Sequence, residues 1–353
     1  MSSTVAPPSE QIGPAAWFGP DMAARTDWRV ELDDRQRAEV RDAARCAIDR
    51  GLEVASVTSA QFPLPRLGPV LARVRGEVLG GRGFALLRGL SLDGASPREI
   101  ATAFFGIGSH LGNARAQNAA GHVLGHVADL GLSSRDPAVR IYQTRERQTF
   151  HTDSCDVVGL LCVRKARAGG LSALVSSTTI FNEMRRRRPD LVAHLFEPIA
   201  TDRRGEVPPG MDPWFEIPVF SWHEGHLTAI YHRPYIDSAQ RFPGAPRLTD
   251  GQREALDLFD RLADDPALHF HMELEPGDVQ LVHNHTILHD RTAFEDRDEP
   301  GRGRHLLRLW LSCPDARPLP PVFAQRYGGL EPGERGGNVL QPGAALVAPL
   351  EPG

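Results

Sequence analysis

Between Val139 and Leu311 the chain falls into short apolar runs, each closed by glycine, proline or polar turn residues, and this rhythm restricts the fold more than anything else in the sequence. The runs Val139 to Gln143, Val157 to Val163, Ser172 to Ser176, Phe220 to Trp222, Leu227 to Tyr231, Phe270 to Leu274, Val279 to Val282 and Leu306 to Leu311 are predicted strands. Another buried strand is predicted at Phe84 to Gly89. Strands this short, turn-separated and half-buried in pattern favour an antiparallel sandwich or barrel over a doubly wound sheet. The fold class expected is mainly β, within α+β.

Helices are predicted where apolar residues recur at helical spacing behind capping residues. From Asp33 or Asp34 to Arg50, residues Val40, Ala43, Ala44, Ala47 and Ile48 form one stripe, and Gly51 stops it. Further helices are expected over Pro69 to Leu79, Pro97 to about Leu111 behind Ser96, about Thr179 to Phe196, and Thr249-Asp250 to about Asp264. Residues 1 to about 15 are Ser/Pro-rich and expected to be loose, and the tail after Tyr327 is Gly/Pro-rich and irregular.

A net charge of −5 offers no electrostatic footprint for nucleic acid or an anionic membrane. The four cysteines, Cys46, Cys155, Cys162 and Cys313, are scattered and include no C-x-x-C pair, as expected of reduced thiols in the cytoplasm. No basic-then-apolar leader opens the chain and no apolar run approaches about 18 residues, so a soluble protein without a membrane span is expected. Oligomeric state is not readable.

The chemistry begins at His151-Thr152-Asp153. On an extended strand a His and a carboxylate two residues apart point to the same side and can grip one ion together. A third imidazole from a distant strand completes a two-His-one-carboxylate facial triad, which leaves coordination positions open and suits non-heme Fe(II). On spacing alone, His283, His285 and His289 all qualify as that third ligand.

Phe150-His151-Thr152-Asp153, the Gly169-Gly170-Leu171-Ser172 turn, Leu288-His289-Asp290-Arg291 and the Arg304-x-x-x-Arg308 pair together resemble the taurine dioxygenase-like (TauD/TfdA-like) branch of the Fe(II)/2-oxoglutarate-dependent oxygenases. They span most of the chain from about Phe84 to Trp310. The resemblance implies a double-stranded β-helix (jelly roll) with flanking helices, whose open end holds the iron. It also implies a division into an N-terminal extension with packing helices (1–80), a catalytic domain with helical insertions (81–326) and an irregular tail (327–353).

The same resemblance selects His289 as the third metal ligand, beside His151 and Asp153, and leaves His283 and His285 with structural or outer-sphere roles. It implies Fe(II), 2-oxoglutarate as co-substrate, and O2. Arg304 takes the position of the clamp on the far carboxylate of 2-oxoglutarate, a task for which a bidentate guanidinium is matched in shape and charge. Ser172 takes the position of a hydroxyl donor to 2-oxoglutarate, and Arg308 that of a contact to an anionic group on the substrate. Gln117-Asn118, Gly121 and His122 to Asp129 form a segment that in relatives lies near the substrate mouth, which implies Asn118 as a hydrogen-bonding contact to substrate. Related halogenases carry Ala or Gly where this chain has Asp153, so halogenation is not expected.

These features lead to an expected oxygenase that couples decarboxylation of 2-oxoglutarate to oxidation, by default hydroxylation, of an unactivated C–H. The substrate expected is a small molecule, anionic or amino-acid-like. Two other readings stand beside it: a jelly-roll sensor that binds metal or a 2-oxo acid without turnover, and a metal-dependent isomerase or hydrolase on a similar barrel, which typically brings more His ligands and has no need for Arg304.

Overall fold

The computed structural model describes residues 7–134, 139–297, 299, 301–341 and 343–352; the first six residues of the stretch expected to be loose lie outside these. The strands of its two principal sheets, in chain order, are β1 (Arg29–Glu31), β2 (Phe84–Arg88), β3 (Asn113–Ala114), β4 (Leu124–Ala128), β5 (Gln148–His151), β6 (Val157–Arg164), β7 (Ser172–Ser176), β8 (His269–Met272), β9 (Val279–His283), β10 (Ile287–Arg291) and β11 (His305–Ser312), and three two-stranded pairs, among them Phe220–His223 with His226–Ala229, lie outside them. The larger sheet runs β1-β2-β9-β6-β11-β3, with β4 also on β11, and the smaller runs β8-β7-β10-β5. Only the β1 to β2 pairing in these sheets is parallel. The architecture is an α+β fold rich in antiparallel strands, with helices covering at least as much of the chain, so the α+β and antiparallel parts of the expectation match it. Among the described residues no helix is long and apolar enough to cross a membrane.

Strand periodicity builds the layers. Leu307, Leu309 and Leu311 of β11, with Leu281 of β9, point to a core shared with the helices Asp34–Asp49, Gly68–Gly80 and Pro97–Ser109. The alternate residues Leu306 and Trp310, with Val282, face the smaller sheet and meet Leu174, Phe270 and Ile287. That sheet's other face, Ala173, Val175 and Leu288, is covered by the helices Ser177–Arg187 and Asp250–Ala263. Both sheets are thus covered on both sides, which is why their central strands read as continuous apolar runs.

The helix starts follow their caps. Asp33, Ser96 and Thr249 each accept a hydrogen bond from the backbone N–H three residues on, and Gln36, Glu99 and Gln252 return it. Two expectations need correction. Val139 to Gln143 is not a strand; Ile141–Gln143 forms a 3₁₀ turn, closed when the Gln143 side chain accepts from the Arg140 N–H at 3.0 Å. The long helix expected from Thr179 to Phe196 stops at Arg187, and the chain resumes as the short helix Pro189–Val192 and a 3₁₀ turn. The ring of Pro189 excludes helical geometry at Arg188, which sits at φ −146°, ψ 70°.

Candidate active site

At one end of the sandwich the inward-facing positions change from apolar to polar. His151, the last residue of β5, and His289 of β10 are register partners across the smaller sheet, with ring centroids 4.2 Å apart. Asp153 lies beyond the end of its strand. The Thr152 N–H turns to the Tyr231 carbonyl at 2.8 Å, and the Asp153 N–H donates to Asn284 Oδ1 at 2.9 Å. His151 and Asp153 still converge with His289: one ligand atom from each lies within 4.8 Å of the others, and His289 Nε2 is 3.8 Å from Asp153 Oδ2.

The protonation states suit a cation. Burial pushes both imidazoles below their ordinary range, His289 to about 3, so both are neutral at physiological pH. His151 Nδ1 donates to the Thr149 carbonyl at 2.8 Å, which orients its Nε2 lone pair toward the cluster, where the Gln148 amide now meets it at 2.8 Å. Burial works to raise the Asp153 carboxyl, but Arg308, His289, His151 and the Trp310 N–H at 2.8 Å outweigh it and hold the group at about 2. Two neutral imidazoles and one carboxylate require no proton release before binding a divalent ion.

The other two histidines lie elsewhere. His283 Nδ1 meets Thr286 Oγ1 at 3.0 Å, and His285 Nε2 lies 3.1 Å from Asp156 Oδ1; both rings are buried away from Asp153.

Two cavities flank the cluster. The inner one is walled by Val127, Leu160, Leu274 and Leu306 and reaches Ser172, Arg304 and Arg308. Arg304 is buried there with its Nη1 lacking any partner, its Nη2 3.5 Å from the Gly170 carbonyl and its guanidinium over the Phe294 ring. Burial lowers it to about 10, so an unneutralised cation is held at a cost. An apolar sleeve with an orphaned guanidinium at its end and a hydroxyl on its wall fits a short dicarboxylate. Ser172 Oγ is held by the Gln280 side chain at 3.0 Å. A β-bulge at His305 and Leu306 separates Arg304 from the regular part of β11, yet both arginines line this cavity.

Arg308 also lines the outer cavity. Its Nε donates to Gln117 Oε1 at 2.7 Å, its Nη1 is 3.5 Å from Asp153 Oδ2, and its guanidinium stacks over Tyr142 and Trp310. Asn118 is not among the lining residues: its Oδ1 accepts from the His122 N–H at 3.2 Å and closes the local turn. The neighbouring Gln117 faces the cavity instead.

Sequence reasoning missed several contributors. Trp310 donates to Asp153, and its place two residues after Arg308 on one strand is the available signal. Asn284 lies within the polar run His283 to His285 that competed for the metal. Arg140 and Glu206 of the outer cavity come from irregular segments, and Arg326 from the helix Ala324–Tyr327, whose four residues are too few to show a period.

Comparison with known proteins agrees with this geometry. The family described as taurine catabolism dioxygenase TauD, TfdA matches residues 49–310. The chain is 32% identical over 325 residues to FR-33289 synthase of Streptomyces rubellomurinus, covering 90% of this chain and 95% of that protein. It is 33% identical over 184 residues to a uridine-5'-phosphate dioxygenase of an Amycolatopsis species, half of this chain and 65% of that protein. The structure of asparagine oxygenase in complex with Fe(II), 3-hydroxyasparagine and succinate superposes with a TM-score of 0.62 at 19% identity, covering 80% of this chain and 93% of that one. The chain belongs to the TauD/TfdA family and is an Fe(II)/2-oxoglutarate-dependent dioxygenase, with Fe(II), 2-oxoglutarate and O2 as its cofactor and co-substrates.

Proposed function

We propose that the enzyme hydroxylates an unactivated C–H of a small anionic or amino-acid-like substrate, releasing succinate and CO2. His151, Asp153 and His289 hold the iron, Arg304 and Ser172 hold 2-oxoglutarate, and Arg308 faces the substrate. The paired sheets are taken as the double-stranded β-helix of the family, and residence in the cytoplasm belongs to the same proposal, in keeping with four free thiols, three of them buried.

The observation that carries the reading is a single juxtaposition: a neutral-neutral-anionic ligand cluster whose donors converge, beside an orphaned buried guanidinium in a cavity that the two imidazole ligands also line. Iron with 2-oxoglutarate and O2 supplies the oxidising power once bound. This chain's residues do the rest. The Trp310 N–H and Asn284 fix the Asp153 side chain and backbone. Leu160, Leu274 and Leu306 exclude water around the co-substrate's methylene chain. Arg308, between the two cavities, presents a cation where a substrate in the outer cavity approaches the metal cluster. An anionic substrate accords with that guanidinium, with the phosphate ester named for the Amycolatopsis relative and with the amino acid named for the structural neighbour.

Anaerobic addition of Fe(II) and then 2-oxoglutarate tests the proposal. A visible charge-transfer band at one equivalent, weakened in Asp153→Ala, is expected; no band in the wild-type protein would count against the whole assignment and redirect attention to the isomerase or hydrolase reading.

A further inference from the structure

The outer cavity carries more positive charge than its own carboxylates neutralise. Four arginines line it, Arg140, Arg203, Arg308 and Arg326, against Asp153, Asp202 and Glu206. Asp202 is occupied elsewhere: its carboxylate accepts from Ser238 Oγ at 2.7 Å, from the Arg204 N–H at 2.8 Å and from Arg241. Glu206 pairs with Arg140 at 3.1 Å. Asp153 belongs to the metal cluster, so once an ion is bound it no longer neutralises Arg308. Among the described residues the hydrogen-bond partners of Arg203 are carbonyls and a thioether, chiefly the Gln325 carbonyl at 2.6 Å and the Asp212 carbonyl at 3.0 Å, and its guanidinium lies over the Phe215 ring.

Arg326 is the most telling of the four. It arrives on the short helix Ala324–Tyr327, and its guanidinium donates to the Gly337 carbonyl at 3.1 Å and to Asn338 Oδ1 at 2.6 Å, both neutral. Asn338 is itself fixed, its Nδ2 on the Gln117 carbonyl at 2.7 Å and its N–H on the Ala116 carbonyl at 2.8 Å. The segment carrying these groups is anchored by Arg335, fully buried and paired with Asp156 at 2.8 Å. Burial lowers Arg326, and burial with repulsion from Arg326 brings Arg203 to about 10. A protein that holds such groups rigid and unneutralised is prepared for an anion, since ordering and desolvation are complete before binding.

The carboxylates also narrow the choice. Burial raises Glu206, an effect opposed by Arg140, Arg326 and Arg308, and it pairs through one carboxylate oxygen with Arg140. With Asp153 given to the metal, three guanidiniums, Arg203, Arg308 and Arg326, remain without a paired carboxylate among the described residues. Opposite them Phe215, Ile217, Val219 and Ile230 form an apolar wall.

We infer that the substrate is a doubly charged oxyanion of the phosphate or phosphonate kind, seated on Arg326 with Arg308 and Arg140 in range, its apolar body against Phe215, Ile217 and Ile230. This rests on the proposed function and deepens it: a zwitterionic amino acid adds no net negative charge to the surplus, and a single charge matches only one of the three guanidiniums.

The test uses the anaerobic protein loaded with Fe(II) and 2-oxoglutarate, titrated calorimetrically at mildly alkaline pH with methylphosphonate, methanesulfonate and glycine. The first two share a tetrahedral shape and differ in charge. Methylphosphonate is expected to bind most tightly without displacing 2-oxoglutarate, and Arg326→Gln to weaken it by roughly tenfold or more, with Arg326→Lys between. Equal binding of methylphosphonate and methanesulfonate, tighter binding of glycine, or unchanged methylphosphonate affinity in Arg326→Gln overturns the inference. If Arg326→Gln does not fold, the wild-type comparison of the two tetrahedral anions decides alone. The charge-transfer band separates the two failures: its absence in wild-type protein defeats the iron and 2-oxoglutarate assignment, whereas a normal band with no charge preference defeats the oxyanion seat only.

Discussion

Three residues apart in the chain, Asp153 and Asp156 stand at the centres of two buried histidine clusters with opposite character. Every valence of Asp156 is met: Oδ1 takes His285 Nε2 at 3.1 Å and Arg335 Nη2 at 2.8 Å, and Oδ2 takes the Cys313 N–H at 3.0 Å and Ser312 Oγ at 3.4 Å. Around Asp153 the imidazole nitrogens converge without bonding to the carboxylate, 3.8 Å off in the case of His289, and His289 Nδ1 has no partner. A saturated cluster holds the fold; an unsaturated one, held rigid by its surroundings, is built to receive something. Residue types alone do not separate the two, and residual bonding capacity does.

Substitution at the two aspartates should divide function from stability. Asp153→Ala is expected to reduce succinate formation to background, well beyond the roughly 10–100-fold that loss of a supporting group costs at a metal centre. Its effect on the metal-free fold should not exceed about 2 kcal/mol in denaturant unfolding. Asp156→Ala strands the Arg335 charge in the interior, so it should cost about 3–5 kcal/mol of stability while any folded fraction still gives the charge-transfer band. A large stability loss at Asp153 with little at Asp156 would reverse the distinction.

Arg304→Gln sharpens the comparison from the co-substrate side. Losing a charge-assisted contact should raise the 2-oxoglutarate requirement by roughly 10–150-fold. Because burial lowers Arg304 to about 10, the charged form is disfavoured in the fold, and the metal-free variant should melt no lower than wild type. A lower melting temperature together with an unchanged 2-oxoglutarate requirement would make Arg304 a structural cation.

How much of this was legible follows from what periodicity encodes. β6, β7, β9 and β11 and the capped helices were readable because their apolar patterns and capping residues are local. His151, Asp153, Arg304 and Arg308 were singled out by motif, and the structure brings them to two adjoining cavities. Asn118 was one residue off, because a turn places Gln117 inward and alternation does not extend through turns. The irregular tail was legible as irregular and nothing more: Arg335 and Asn338 reach the centre by tertiary hydrogen bonds at sequence separations no local pattern carries.

The smallest expected effect concerns the charge of His285. Burial lowers His285 below its ordinary range, and Asp156 is lowered as well, since His285 and Arg335 outweigh the burial that would raise it. A base lowered in the fold refuses protons that the unfolded chain accepts near pH 6.5, so metal-free stability should fall from neutral toward about pH 5 as the buried imidazoles lose by comparison. A carboxylate lowered in the fold stabilises above its unfolded value, and its contribution disappears only below about pH 4. Unfolding curves for wild type and Asp156→Asn should therefore run parallel between pH 7 and about 5, separated by a constant gap that narrows only in stronger acid. If the gap widened between pH 7 and 5, His285 would be taking up a proton beside Asp156, and the closed cluster would be a titrating ion pair instead of a neutral imidazole held by a carboxylate.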